Sequence, residues 1–220
     1  MTLGLAVSAM ALNKPELDQR IQKLTAKFEA MQAKPDKRIP AEKLAKAQGI
    51  VLLDRTKAGF IFAFQGGSGV AMVRDPKTQK WSSAAFLGAT EASLGLQMGG
   101  QQSFVVILMM TTNATRILTS SDIEFGGEAR GTAGNSSAGA EGTVKAEPSV
   151  LVYDDRAGLY GGAAIKGGSI SNDQDANNLY YGEYATLEDI LFKNKYKSSE
   201  AATALAEKIE QASQPVSANK

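Results

Sequence analysis

Residues 59–74 read GFIFAFQGGSGVAMVR, and the fold turns on this stretch. Phe60, Phe62 and Phe64 alternate with Ile61 and Ala63. That period of two predicts a strand with three rings on one face and smaller apolar groups on the other, so both faces are covered. Gly66, Gly67 and Gly69 then interrupt the run before Val70–Val73 resumes it. The expectation is two apolar strands joined at a buried hairpin or bulged corner, with the phenylalanines as the floor on which helices pack.

Working outward, 20 of the 22 glycines fall between Gly49 and Gly168, interleaved with short β-favouring runs. This texture predicts a compact antiparallel β-rich body. Ile50–Leu53 reads as a strand, Asp54–Ala58 as a turn, and Asp75-Pro76-Lys77-Thr78 as a second turn. Ala84–Ala92 fits strand and helix equally. Phe104–Met110, FVVILMM, has the length of a fully buried strand and is too short for a membrane span. Asn113–Leu118 reads as a short helix capped by Asn113. Glu124–Glu147 reads as weak strands and polar loops, and Val150–Tyr153 with Leu159–Ile165 as a hairpin around Asp154–Gly158.

Helices flank this body. From Pro15 onward, Leu17, Ile21, Leu24, Phe28 and Met31 recur at helical spacing and occupy a stripe about 80° wide. Arg20, Lys23, Lys27 and Lys34 line one flank, and Lys37 and Arg38 extend it. Two readings of this helix stand. It is a docking helix with a solvated face, or an amphipathic segment whose basic flank meets phosphate headgroups while the Phe28 edge enters the acyl boundary. A short helix follows over Ala41–Gln48, another opens at Thr186, and the last covers about Ser199–Ala212 with Ala202, Leu205, Ala206 and Ile209 on one face. The fold class expected is therefore α+β: a twisted antiparallel sheet or barrel-like body with N- and C-terminal helices packed on it. A single domain spans 12–212, helical over 15–48, β-rich over 49–170 and helical over 171–212, with 213–220 as a disordered tail.

Composition narrows function. The chain has no cysteine and no histidine, which removes thiol and imidazole nucleophiles, histidine bases and nearly every zinc or copper site. Ser8, Ser68 and Ser82 accordingly lack a histidine partner. Gly66–Gly69 resembles a phosphate cradle only superficially, because Val70–Val73 reads as strand where a helix N-terminus is required. Asn172, Asp173, Asp175 and Asn177 offer oxygens at alternate positions but lack the glycine and glutamate of a calcium loop, so a turn and helix cap is expected. The adjacent Asp154 and Asp155 point to opposite faces of a hairpin and do not form a shared acid pair. No cofactor is implied. Net charge is +1, divided as nine basic against five acidic residues over 1–48 and 15 against 18 thereafter. Between Asp122 and Asp175 nine acidic residues face four basic ones, which argues against nucleic acid. Thr2–Ala11 is apolar, with Ala9-Met10-Ala11 in the pattern of a signal-peptide cleavage site, and predicts a remnant of an export signal over 1–11.

Taken in order, the motifs resemble the SYLF domain family. They are Ala47-Gln48-Gly49-Ile50, Gly59-Phe60, Gly66-Gly67-Ser68-Gly69-Val70, Trp81-Ser82, Gly95-Leu96-Gln97-Met98-Gly99 with the apolar strand after it, Val152-Tyr153, Gly158-Leu159-Tyr160-Gly161-Gly162, and Asn177 with Tyr180-Tyr181-Gly182. Two positions depart from the family's pattern: Phe104 stands where aspartate is common, and Gly131-Thr132 replaces Gly-Pro. The resemblance implies a non-catalytic phospholipid-binding domain, with phosphoinositide binding in eukaryotic members, actin binding in the fungal group, and lipid contact through an N-terminal amphipathic helix. The residues here with that chemistry are Arg20, Lys23, Lys27, Phe28, Lys34, Lys37 and Arg38. A stand-alone bacterial exported member, periplasmic or secreted and peripheral to the membrane, is expected to meet anionic phospholipid rather than actin. The alternative is a structural or protein-interaction module of the cell envelope with an envelope protein as partner.

Overall fold

The computed structural model describes residues 12–58, 62–94, 101–120, 122–125, 148–155, 158–160 and 168–215. Among the described residues eight strands run β1 (Gly49–Ala58), β2 (Phe62–Val73), β3 (Ala85–Leu94), β4 (Gln101–Met109), β5 (Asp122–Phe125), β6 (Val150–Asp154), β7 (Gly158–Tyr160) and β8 (Gly168–Asn172). They form one sheet in the order β5-β8-β3-β2-β1-β4-β6-β7, and every pairing is antiparallel. Among the described residues β5 and β7 are its free edges, so the sheet is open and not a closed barrel. The α+β class stands, with helices α1 (Lys14–Gln32), α2 (Ala41–Lys46), α3 (Thr112–Thr115), α4 (Gln174–Tyr181), α5 (Leu187–Leu191) and α6 (Glu200–Ser213).

Both faces of the central strands are buried, as alternation of two apolar sets demands. Ile50, Leu52, Val70, Met72, Phe86, Phe104, Val106 and Leu108 form the floor beneath α1, α2, α4 and α6. Their neighbours Val51, Leu53, Ala71, Val73, Val105, Ile107 and Met109 pack with Leu118, Leu187, Ile190 and Leu191 on the opposite face. FVVILMM therefore serves both cores. Phe104, the departure from the family pattern, fills the α1 side, and its backbone is held on both sides by Asp155: its N–H donates to Asp155 Oδ1 at 3.0 Å, and its carbonyl accepts from Asp155 N at 3.0 Å.

The opening stretch needs correction. Gly66, Gly67 and Gly69 do not end a strand, because β2 pairs continuously with β1 from Ala58↔Phe64 to Gly49↔Val73. Asp54–Ala58 likewise belongs to β1 and is not a turn. The glycines serve close approach instead: a Cβ on Gly69 would lie 2.3 Å from the Leu52 carbonyl oxygen, and one on Gly67 would lie 2.7 Å from that of Asp54. Phe60 and the side chains of Phe62 and Phe64 lie outside the described residues, so the expected phenylalanine floor does too. The same holds for Thr2–Ala11, Gly95–Gly99, Gly131-Thr132 and Gly161-Gly162.

Ala84–Ala92 resolves as strand β3, and the hairpin around Asp154–Gly158 forms from β6 and β7. The short helix after β4 is capped by Thr111, whose side chain accepts from Ala114 N, not by Asn113. Sequence reading missed β8, in which only Ile170 supplies a buried apolar side chain. The turn and helix cap expected over Asn172–Asn177 is present, with Asp173 capping α4.

Candidate functional site

Helix α1 opens with a reciprocal cap: Glu16 N donates to Asn13 Oδ1 and Asn13 N donates to Glu16 Oε2, both at 3.0 Å. It lies across the sheet with its apolar stripe wholly enclosed. Leu17, Ile21, Leu24, Phe28 and Met31 are each at most 1% exposed. Phe28 is thus a core residue of this fold, 1% exposed within the cluster formed by the helices and the sheet, and its edge is not presented to an acyl boundary here.

The basic flank divides in two. Lys27 Nζ reaches Asp54 Oδ1 at 2.6 Å and Lys23 Nζ reaches Asp54 Oδ2 at 3.1 Å, so one β1 carboxylate holds both. Arg20 pairs with Asp173 Oδ2 at 2.8 Å, joining α1 to the N-terminus of α4. These three cations orient the helix, although Lys23 keeps 65% of its side chain in water. Beyond Gln32 the picture changes. The Gln32 amide clasps the Ile39 backbone, accepting from Ile39 N at 2.7 Å and donating to Ile39 O at 3.3 Å. Arg38 N and Lys37 N both donate to Lys34 O, which closes the intervening turn. Lys34 and Arg38 are exposed from this pinned turn and form no ion pair among the described residues, whereas half-buried Lys37 lies 3.5 Å from its neighbour Asp36. The sequence therefore assembled seven residues that the fold separates into a docked set and a projecting turn.

The quoted motifs are mostly architectural. Asn177, fully buried, accepts from Phe86 N at 2.8 Å and donates to Phe86 O at 2.9 Å and Asn172 Oδ1 at 2.7 Å, so its amide completes the hydrogen bonding of β3. Asp173 caps α4 through Ala176 N. The alternate oxygens of this segment are thereby engaged as turn and cap, and among the described residues no cluster of three or more acidic side chains is arranged for a metal. Tyr180 donates to Asp18, and Tyr181 donates to the Ala84 carbonyl at 2.5 Å. Burial, followed by the bond to Asp18, pushes the Tyr180 phenol up to about 12, and burial pushes Tyr181 further the same way. Trp81 donates to Glu210 Oε1 at 2.7 Å beneath the Arg74 guanidinium, whose Nη2 lies 2.8 Å from the same oxygen. This buried arginine ties α6 to the end of β2. Ser82 Oγ accepts from Val73 N at 3.0 Å and donates to Ser83 O at 2.8 Å.

The asparagine and tyrosine positions fall where a family comparison finds its match, and Trp81 lies just before it. The Ysc84 family, described as "Las17-binding protein actin regulator", matches residues 90–212, more than half the chain. The chain belongs to the Ysc84, or SYLF, family. It is 29% identical over 195 residues to human SH3 domain-containing YSC84-like protein 1, covering 84% of this chain and 57% of that protein. The Xenopus laevis protein of the same name is 30% identical over 171 residues, covering 76% of this chain and 51% of its own length. LAS seventeen-binding protein 3 of Saccharomyces cerevisiae is 29% identical over 161 residues, covering 71% and 35% respectively. The Ysc84-family chain thus spans about half the length of the animal relatives it matches. No solved structure matches it.

Proposed function

We propose that this Ysc84-family chain is a non-catalytic module that docks by charge on anionic phospholipid, without inserting α1. The observation that carries this reading is the Lys34–Arg38 turn. Its backbone is pinned by Gln32 and its cationic ends project beside a helix whose apolar stripe is already buried. Contact is then electrostatic, with each basic residue near an anionic leaflet contributing about 1 kcal/mol, and it weakens as salt shortens the Debye length. The family's printed description, a binding protein and actin regulator, supports binding rather than turnover.

Co-sedimentation with phosphatidylcholine vesicles, alone and mixed with phosphatidylglycerol, tests the reading. Binding is expected only to the mixed vesicles, decreasing with salt and reduced in Lys34→Glu with Arg38→Glu. Equal binding to both vesicle types, or to neither, overturns it.

The docked state of α1 supports a second reading, a protein-interaction module of the cell envelope. Leu179 and Tyr184, 45% and 82% exposed, are the apolar groups available to such a partner on α4 and the turn after it. Photocrosslinking from position 184 in the native cell tests it, and an envelope protein captured there is the expected product. Export itself is part of the proposal. Mass spectrometry of the native N-terminus together with the cell fraction decides it.

A further inference from the structure

Three segments converge at the end of the sheet where β1 begins and β2 and β4 finish: the C-terminus of α2, the 75–80 turn and the 193–197 segment. Arg74, just past β2, donates through Nε to Ala47 O at 3.3 Å and through its backbone N to Gln48 O at 2.8 Å, bringing the 75–80 turn against the C-terminus of α2. Asn194 Nδ2 then donates to Asp75 Oδ2 at 3.2 Å, and Ser83 Oγ donates to Tyr196 O at 2.9 Å. These bonds draw the 193–197 segment, more than 110 positions away in sequence, onto the same rim.

Lysine dominates the charge on this rim. We propose that Lys46, Lys77, Lys80, Lys193, Lys195 and Lys197 form a second contact surface for anionic phospholipid, at the end of the sheet and apart from the Lys34–Arg38 turn. The proposal rests on the anionic-lipid reading above and deepens it. All six lysines are exposed, and among the described residues Lys46, Lys77, Lys80 and Lys197 form no ion pair. The acidic groups among them are spent. Asp75 Oδ1 accepts from Lys77 N at 2.9 Å and Thr78 N at 2.7 Å, bonds that hold its carboxyl below the ordinary value. Asp189 is shared between Lys193 at 3.1 Å and Lys195 at 3.0 Å, and Glu210 is taken by Arg74 and Trp81. Six cations against Asp75 and Asp189 leave an excess of four positive charges.

The chemistry of the rim selects the partner. Its charges are all lysine, compact and flexible rather than the planar forks that fix bidentate geometry. Among the described residues the large exposed apolar side chains, Leu12, Ile117, Leu179 and Tyr184, are none of them in these rim segments, and the rim's rings, Trp81 beneath Arg74 and Tyr196 beneath Lys195, are half-buried. A surface without exposed rings lacks the stacking platforms used for single-stranded nucleic acid and the aromatic or arginine anchors typical of protein interfaces. Mobile cations without a shaped pocket suit a fluid anionic bilayer surface, where each lysine near the leaflet is worth roughly fivefold in binding.

The test compares wild type, Lys77→Glu/Lys80→Glu/Lys197→Glu and the neutral Lys77→Gln/Lys80→Gln/Lys197→Gln on phosphatidylcholine–phosphatidylglycerol vesicles, with thermal melts of each in parallel. None of the three side chains is in an ion pair among the described residues, so unchanged melting is expected. The reversal variant is expected to lose about tenfold or more in vesicle binding and the neutral variant a smaller amount. If wild type binds and both variants bind equally well, the rim is overturned while the lipid reading stands. If wild type does not bind, both fall. Should the reversal variant melt early, the neutral variant decides alone: retained binding overturns the rim and reduced binding with a normal melt supports it.

Discussion

Lys27 Nζ lies 2.6 Å from Asp54 Oδ1, a contact that turns a residue of the expected lipid-facing flank into a fastener between α1 and β1. The carboxylate is 12% exposed and Lys27 27%, so the pair is only partly screened, whereas Lys23 on the other oxygen is largely in water. Asp54→Asn is expected to cost about 1–2 kcal/mol in chemical denaturation, and Lys23→Ala less than about 0.5 kcal/mol. Equal costs for the two would contradict the assignment of Lys27 as the principal partner.

Close strand approach predicts opposite outcomes at two glycines of neighbouring strands. A Cβ on Gly69 would meet the Leu52 carbonyl at 2.3 Å and Leu53 Cδ2 at 2.5 Å, whereas the nearest atom to a Cβ on Gly88 is Ser171 Oγ at 3.9 Å. Gly69→Ala is expected to destabilise by about 2–3 kcal/mol because backbone must move. Gly88→Ala is expected to be neutral or to stabilise by up to about 1 kcal/mol, since it restricts the unfolded chain. Denaturant midpoints of the two variants provide the comparison.

Asn177 replaces a strand neighbour for Phe86. With Asn177→Leu the Phe86 N–H loses its acceptor inside the core, while the Phe86 carbonyl still accepts from Asp173 N at 3.1 Å. One orphaned donor costs about 1–3 kcal/mol, and each kcal/mol lowers the melting temperature of a chain this size by roughly 2–4 °C. Calorimetry should show that drop with the antiparallel sheet signal otherwise retained.

Alkali should weaken the fold through its tyrosines. Burial first, then Asp18, raises Tyr180 from 10.0 to about 12, and burial first, then Glu42, raises Tyr153 to about 12. The folded chain therefore holds these protons after the unfolded chain has released them. Their contribution is complete below pH 10 and lost as pH rises through about 12. Stability measured between those limits should fall with pH, and Tyr180→Phe should make the decline shallower while lowering stability at neutral pH through loss of the Asp18 bond. An unchanged slope would contradict the shift at Tyr180.

The candidate site was only half legible in sequence. Spacing placed Arg20, Lys23, Lys27 and Lys34 on one helical flank, and all but Lys34 meet carboxylates there. Asp54 was misread because a charged residue after an apolar run looks like the start of a turn. In the fold it is a mid-strand residue opposite Phe104 and Ser68. The lysine rim left no periodic trace at all, since its members come from α2, one turn and the segment before α6.

What the sequence by itself determined is burial. The stripe from Leu17 to Met31 and the double apolar set of FVVILMM had to leave water wherever they packed, because the hydrophobic effect is non-directional and follows composition and period. What only the tertiary structure decided is which charges remain available. An ion pair depends on distance through space, and Arg20 finds Asp173 across 153 positions of chain while Lys77 and Lys197 find nothing among the described residues. Periodicity could say that α1 is amphipathic. Folding decided that its apolar face belongs to the core and that, among the described residues, Lys34 and Arg38 at its far turn and Lys46, Lys77, Lys80 and Lys197 at the end of the sheet form no ion pair.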